Sequence, residues 1–201
     1  MTVPPNIRVA NDFFYDSLDF LHRYRITVEH FFVIKSKRLK LFLDLLMAAE
    51  CILKAYSAYF YMRELSRDKV IQKVEKHSHK IGEMAVIVRP CVEPSIWERF
   101  NQFVESLDCL PVGLRYQLDG AAFRQVNEDF YYETVGSDAW LDALHDAIKL
   151  LADTLDKQLQ THSRVVTVNE IMSELSCVPT FFRGARAVDA HILNLGRGCV
   201  A

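Results

Sequence analysis

The sequence predicts an all-α protein, an antiparallel four- or five-helix up-and-down bundle with a long connection (109–136) and an irregular C-terminal arm. Three observations predict it. Apolar residues recur at three- and four-residue spacing over most of 11–162. Strict alternation, the signature of half-buried strands, is almost absent. Half of the 201 residues are hydrophobic and a quarter are charged, enough to close a core without disulfides or metals.

The first helical segment, 11–34, sets Phe13, Phe14, Leu18, Leu21 and Ile26 among polar residues. The second, 39–62, is apolar nearly all round, as the central helix of a bundle must be. Asp44, Glu50 and Lys54 interrupt it. Each would cost ~2.5–3.5 kcal/mol in a lipid-spanning helix, so the segment reads as a buried core helix and no membrane is expected. The third begins near Ser66, carries Val70, Val74, His77, Ile81, Met84 and Val88 as one seam, and stops at Pro90. In the fourth, Ser95 followed by Glu98 reads as a capping box ahead of Ile96, Phe100, Phe103, Val104 and Leu107. The fifth opens at Ser137-Asp138 and buries Leu141, Leu144, Ile148, Leu151, Leu155 and Leu159.

Two regions depart from this pattern. The connection 109–136 is long for a bundle and holds Arg115, Tyr116, Arg124, Phe130, Tyr131 and Tyr132. Those types suit base stacking with phosphate contact, and equally a lid packed on the bundle. The stretch 163–201 carries a candidate strand at 164–168, a capping box at Thr167 and Glu170, and glycines at 184, 196 and 198. The expected division is therefore a bundle domain at 1–162 and an appendage at 163–201.

Composition and missing motifs narrow the function. The formal net charge is −2, which gives a strongly basic nucleic-acid binder no support. The five cysteines are scattered, with no C-x-x-C, and fit a reducing, cytoplasmic setting. The N-terminus has no basic start followed by an apolar run, so no secretory signal is read there. The chain lacks G-x-x-x-x-G-K-[ST], G-x-G-x-x-G, E-x-x-H and H-E-x-x-H, so neither a cofactor nor a metal is expected.

Residues 45–56 read LLMAAECILKAY, and His79-Lys80-Ile81-Gly82-Glu83-Met84 follows. This pair of segments resembles the HEPN family (higher eukaryotes and prokaryotes nucleotide-binding), whose members often show a small-residue run, Glu, aliphatics and Lys-Ala, then a His-Asp-Leu-like turn. Glu50, Lys54 and His79 match the Glu, Lys and His; Lys80 stands where Asp is usual. The resemblance covers about residues 40–85. It implies a helical bundle, commonly a homodimer, acting as a nucleotide- or RNA-binding protein of a bacterial toxin–antitoxin or defence type, with an antitoxin-type protein as partner. Catalytic members are metal-independent RNases with an Arg followed after four to six residues by a His, usually near the last core helix.

Physically, such a pair would place a guanidinium against phosphate and an imidazole for proton transfer. Arg186 and His191 have that spacing, as do Arg25–His30 and Arg23–His30. Helix 137–162 has no Arg, so His145 and His162 lack a partner there, which points away from catalysis. Ligand or RNA binding would then rest on Glu50, Lys54, His79, Arg115, Tyr116 and Arg124. The plainer reading of Glu50 and Lys54 is an i,i+4 pair worth ~0.2–0.5 kcal/mol. Lys69, Lys73, Lys76 and Lys80 could contact a nucleic-acid backbone or simply form a solvated face. The alternative function is a non-catalytic helical interaction and dimerisation module.

Overall fold

A computed structural model describes residues 4–30, 37–60, 65–77, 79–110, 124–125 and 127–160. All of them lie in the compact unit Met1–Ser163. The features expected in 163–201 lie outside the described residues.

Among the described residues there are seven α-helices and no strand. They are α1 (Pro5–His30), α2 (Lys37–Phe60), α3 (Arg67–Glu75), α4 (Ile81–Val88), α5 (Pro94–Cys109), α6 (Glu128–Glu133) and α7 (Asp138–Gln160), with a 3-10 turn at Arg89–Cys91. The chain is the all-α helical bundle that its periodicity predicts.

Contacts between the helices set their directions. Asn6 Nδ2 donates to the Tyr59 carbonyl (3.0 Å), Ser17 Oγ to that of Ala48 (3.0 Å) and Lys37 Nζ to that of Val28 (3.1 Å). Partner numbers on α2 fall as those on α1 rise, so the two helices are antiparallel. On α7 the order reverses. Arg38 pairs with Asp138 (2.8 Å), the Phe42 ring lies 6.5 Å from that of Trp140, and the Tyr56 hydroxyl donates to the Leu151 carbonyl (3.0 Å). Helices α2 and α7 are therefore parallel. Phe103, just past the middle of α5, meets Trp140 at the start of α7, with ring centroids 5.6 Å apart. Hence α1 and α2 run antiparallel, α2 and α7 run parallel, α5 packs on α7, and α3 with α4 fills the connection between α2 and α5.

Helix α2 is the axis of this arrangement. Leu41, Phe42, Leu45, Ala48, Ala49, Ile52, Leu53, Ala55, Tyr56 and Ala58 are all buried, so nearly every side of it meets protein. The other helices bury one stripe each, such as Leu141, Leu144, Ile148, Leu151, Leu155 and Leu159 on α7, except α6, which has no buried residue.

Three local readings are corrected. The seam from Val70 to Val88 is buried as expected, except that His77 is only partly so, yet it does not lie on one helix. The backbone turns at 76–80, where His79 has φ 64°. Ser95 does not cap α5: the helix already begins at Pro94, Glu93 holds the cap position, and Ser95 Oγ donates to the Glu93 carboxylate instead. Proline suits that first position because its missing N–H would have had no helical partner. Helix α1 begins at Pro5, ahead of residue 11, because Ile7, Val9 and Ala10 extend its buried stripe. The Ser137 start holds, with the Trp140 N–H donating to Ser137 Oγ at 3.2 Å.

Part of the long connection is ordered as α6, and Gly136 closes it against α7. Its N–H donates to the Tyr131 carbonyl at 2.7 Å. A Cβ there would sit 2.9 Å from that oxygen and 2.9 Å from Tyr132 Cα, both backbone atoms that cannot swing aside. Gly136→Ala is expected to lower stability by about 1–3 kcal/mol, the usual cost of overpacking, measured by urea denaturation.

Candidate functional site

Midway along α2 the burial of that helix becomes a chemical problem. The Glu50 side chain is 3 % exposed and the Lys54 side chain 8 %, so two charges stand in the bundle interior. They meet each other one helical turn apart, with Glu50 Oε1 2.8 Å from Lys54 Nζ. Lys54 Nζ also lies 5.3 Å from the centroid of the Phe13 ring on α1, an orientation that favours the cation. The second carboxylate oxygen, Oε2, is 2.8 Å from Nδ1 of His79 in the turn between α3 and α4. The structure thus brings together Glu50, Lys54 and His79, which the sequence offered as candidates.

The order of effects on Glu50 is instructive. Burial pushes its carboxyl up, but the hydrogen bond and charge of Lys54, then those of His79, outweigh this and hold it below the ordinary carboxylate value. An ionised carboxylate only accepts, so Nδ1 of His79 carries the shared hydrogen. In the neutral ring Nε2 is then the basic nitrogen. The His79 side chain is 55 % exposed, which makes it the open end of an otherwise closed cluster. Such a ring can exchange a proton with a ligand or hydrogen-bond a phosphate.

The turn that delivers His79 is strained. A left-handed φ costs a residue with a Cβ ~1–2 kcal/mol, and the bond to the buried carboxylate offsets it. Glu83 steadies the same turn from α4, with Oε2 2.8 Å from His77 Nδ1 and Oε1 2.8 Å from Lys80 Nζ. Bonds from Lys80 and then His77 hold the Glu83 carboxyl below its ordinary value. Lys80, the departure from the family pattern, therefore has a local partner.

The remaining candidates fall elsewhere. Arg124 is exposed ahead of α6 and makes no hydrogen bond or ion pair with the cluster. Arg115, Tyr116, Arg186 and His191 lie outside the described residues. Arg23 is taken by the buried Asp44, 2.9 Å away, whose carboxyl burial raises despite the guanidinium. Lys69, Lys73 and Lys76 are exposed, but the turn separates them from Lys80, so the four do not share one helix face.

A second feature was not legible in the sequence. Between α1 and α7 lies a groove of about 400 Å³ lined by Tyr24, Arg25, Glu29, His145, Asp146 and Lys149. The Tyr24 and His145 rings stack with centroids 5.1 Å apart, and the Tyr24 hydroxyl donates to Asp142 Oδ1 at 2.8 Å. Burial, then that bond and charge, push the Tyr24 hydroxyl far above its ordinary value, so it stays a donor. Helix 137–162 offers His145 no Arg of its own, whereas the groove that His145 lines also carries Arg25 of α1.

Comparison with family models, with curated proteins and with solved structures finds no match to this chain. Among the described residues no helix is long and apolar enough to cross a membrane.

Two outcomes test the cluster. Glu50→Gln strands the Lys54 charge and should cost about 3–5 kcal/mol at neutral pH, by urea denaturation. Because the folded-state value of Glu50 is depressed, its ionisation contributes stability above its unfolded value, ~4.3, and loses it as pH falls through the folded one. The gap between wild type and Glu50→Gln should therefore shrink on acidification. Separately, His79→Gly should be about 1 kcal/mol more stable than His79→Ala, since both lose the imidazole but only glycine relieves the left-handed backbone.

Proposed function

We propose that this chain is a HEPN-like protein that binds RNA or nucleotide, in a toxin–antitoxin or defence setting, as a homodimer with an antitoxin-type protein partner. The observation that carries the reading is the meeting of Glu50, Lys54 and His79 at one point, 2.8 Å on either side of a single carboxylate. These are the residues on which the resemblance stands. Glu50 and Lys54 meet as i,i+4 neighbours on one helix, but His79 lies 29 residues from Glu50, and nothing in helical periodicity requires it to reach them.

Binding would use the exposed turn and its approach. The His79 ring is open to solvent, and Lys69 and Lys76 stand exposed on the preceding stretch. Asp68 and Glu75 interleave with them, which favours modest, salt-sensitive phosphate contact over tight binding. RNase activity, if the protein has it, is metal-independent and rests on an Arg–His pair such as Arg186 and His191.

Fluorescence anisotropy with a labelled single-stranded RNA and a nucleotide panel tests this. Binding is expected, weakening with salt and weakening further in Lys69→Glu/Lys76→Glu, whose changes sit on the surface. A folded sample that binds neither RNA nor any nucleotide at millimolar concentration sinks the reading.

A further inference from the structure

The turn between α3 and α4 has a charge balance that its exposed imidazole decides. Glu50 and Lys54 are both buried and 2.8 Å apart, so their charges cancel in the interior. Glu83 of α4 is 2.8 Å from Lys80 Nζ and 2.8 Å from His77 Nδ1, and the Asp108 carboxylate of α5 accepts from the Gly82 N–H at 3.0 Å. The groups bonded within or onto the turn are thus three carboxylates (Glu50, Glu83, Asp108) against two ammonium groups (Lys54, Lys80), a net charge of −1 with both imidazoles neutral. Asp16 of α1, whose charge acts on Cys51 beside Glu50, adds to the negative side. Lys73 and Lys76 of α3, with Glu75 between them, act from the preceding helix. A neutral turn of this composition offers a phosphate little at the one ring that it exposes.

The bond to Glu50 also dictates how that ring can bond. Nδ1 of His79 holds the hydrogen shared with Glu50 Oε2, 2.8 Å away, and Nε2 makes no hydrogen bond among the described residues. In the neutral ring Nε2 presents a lone pair, which turns away a phosphate oxygen because both are acceptors. A free histidine escapes this by moving its hydrogen to the other nitrogen. His79 cannot, since a lone pair on Nδ1 would then face the ionised Glu50 carboxylate. Protonation instead puts a hydrogen on Nε2 and a full charge on the ring, and the same atom becomes a charge-assisted donor. Glu50 accepts from Nδ1 in both states, so the ring keeps its place.

We propose that His79 is an acid-activated switch for phosphate contact, in which one proton taken up at Nε2 turns the ring from acceptor to donor. This switch rests on the reading of the cluster as an RNA- or nucleotide-binding site and adds its regulation. Imidazole is the side chain that changes charge between about pH 5 and 8. Glu50 and Glu83 stay ionised over that range. Both carboxyls are held below the ordinary value, Glu50 against burial by Lys54 and then His79, Glu83 by Lys80 and then His77. The bound state holds a proton that the free state releases, so affinity is present at acid pH and is lost as pH rises through the titration of the ring.

Two probes with no titrating group in this range test the switch on the full chain at constant ionic strength. One is a labelled single-stranded RNA with hydroxyl ends, followed by fluorescence anisotropy. The other is inorganic sulfate, followed by NMR at the His79 ring and the Gly82 amide. Affinity for both is expected to fall about tenfold per pH unit on the alkaline side of the ring's titration. His79→Asn removes the titrating group and tolerates a left-handed backbone, so the pH dependence should vanish there, whereas His77→Asn should keep it. Circular dichroism checks that each variant folds. The wild-type ring gives a readout that needs no variant: its nitrogen shifts at alkaline pH should place the hydrogen on Nδ1. Binding as tight at pH 8 as at pH 5, a pH dependence that survives in His79→Asn, or a neutral ring with its hydrogen on Nε2 each overturn the switch, and RNA binding seen in those cases leaves the RNA reading standing. Acid-dependent sulfate binding without RNA binding keeps the switch and counts against the RNA reading. If neither probe binds at any pH, both fall.

Discussion

Helix α2 has almost no face left for water, and that constraint shapes the rest of the molecule. A helix surrounded on all sides contributes a large apolar area, but any polar atom on it must find a partner inside the protein. The chain meets this condition in several ways along one helix, with the buried Ser57 hydroxyl, which makes no hydrogen bond among the described residues, as an exception. Asp44 reaches outward to Arg23, Glu50 turns to Lys54 and His79, and the Tyr56 hydroxyl bonds a carbonyl of α7. Each of these contacts also locates a neighbouring element, so satisfying polar groups and positioning helices are one act here.

The turn between α3 and α4 shows the exchange most clearly. A straight helix through that region would bury the same seam of valines, isoleucine and methionine. The turn instead brings His79 Nδ1 to 2.8 Å from the second oxygen of Glu50. Breaking the helix places His79 in a left-handed backbone conformation at a cost of ~1–2 kcal/mol, which a charge-assisted hydrogen bond to the buried Glu50 carboxylate offsets. The outcome is an exposed imidazole anchored to a buried charge. That combination is suited to meeting a phosphate or a base, and it carries the functional reading.

The groove between α1 and α7 presents the opposite situation. Its polar groups stand mostly in solvent, where ion pairs contribute little and unsatisfied charges cost little. Stability therefore does not dictate what Arg25 and Glu29 do. The two features differ in kind: the α2 cluster lies in the interior and exposes one ring, whereas the groove has a structural floor, the Tyr24–Asp142 bond that joins α1 and α7, and exposed charges at its rim.

The sequence by itself determined that the chain is a helical bundle, where most helices lie, and which stripes they bury. Three- and four-residue periodicity is local, so Leu141 to Leu159 or Val70 to Val88 can be read without knowing any neighbour. It also offered Glu50, Lys54 and His79, though only through a resemblance. Tertiary structure alone showed that the third helix breaks, at a turn where His79 bonds a residue 29 positions away in the chain. It alone made the Tyr24, Arg25 and His145 groove, whose walls are joined by a hydrogen bond spanning 118 residues. No local pattern encodes which side chains of two distant helices will face the same space; that follows from how the helices pack.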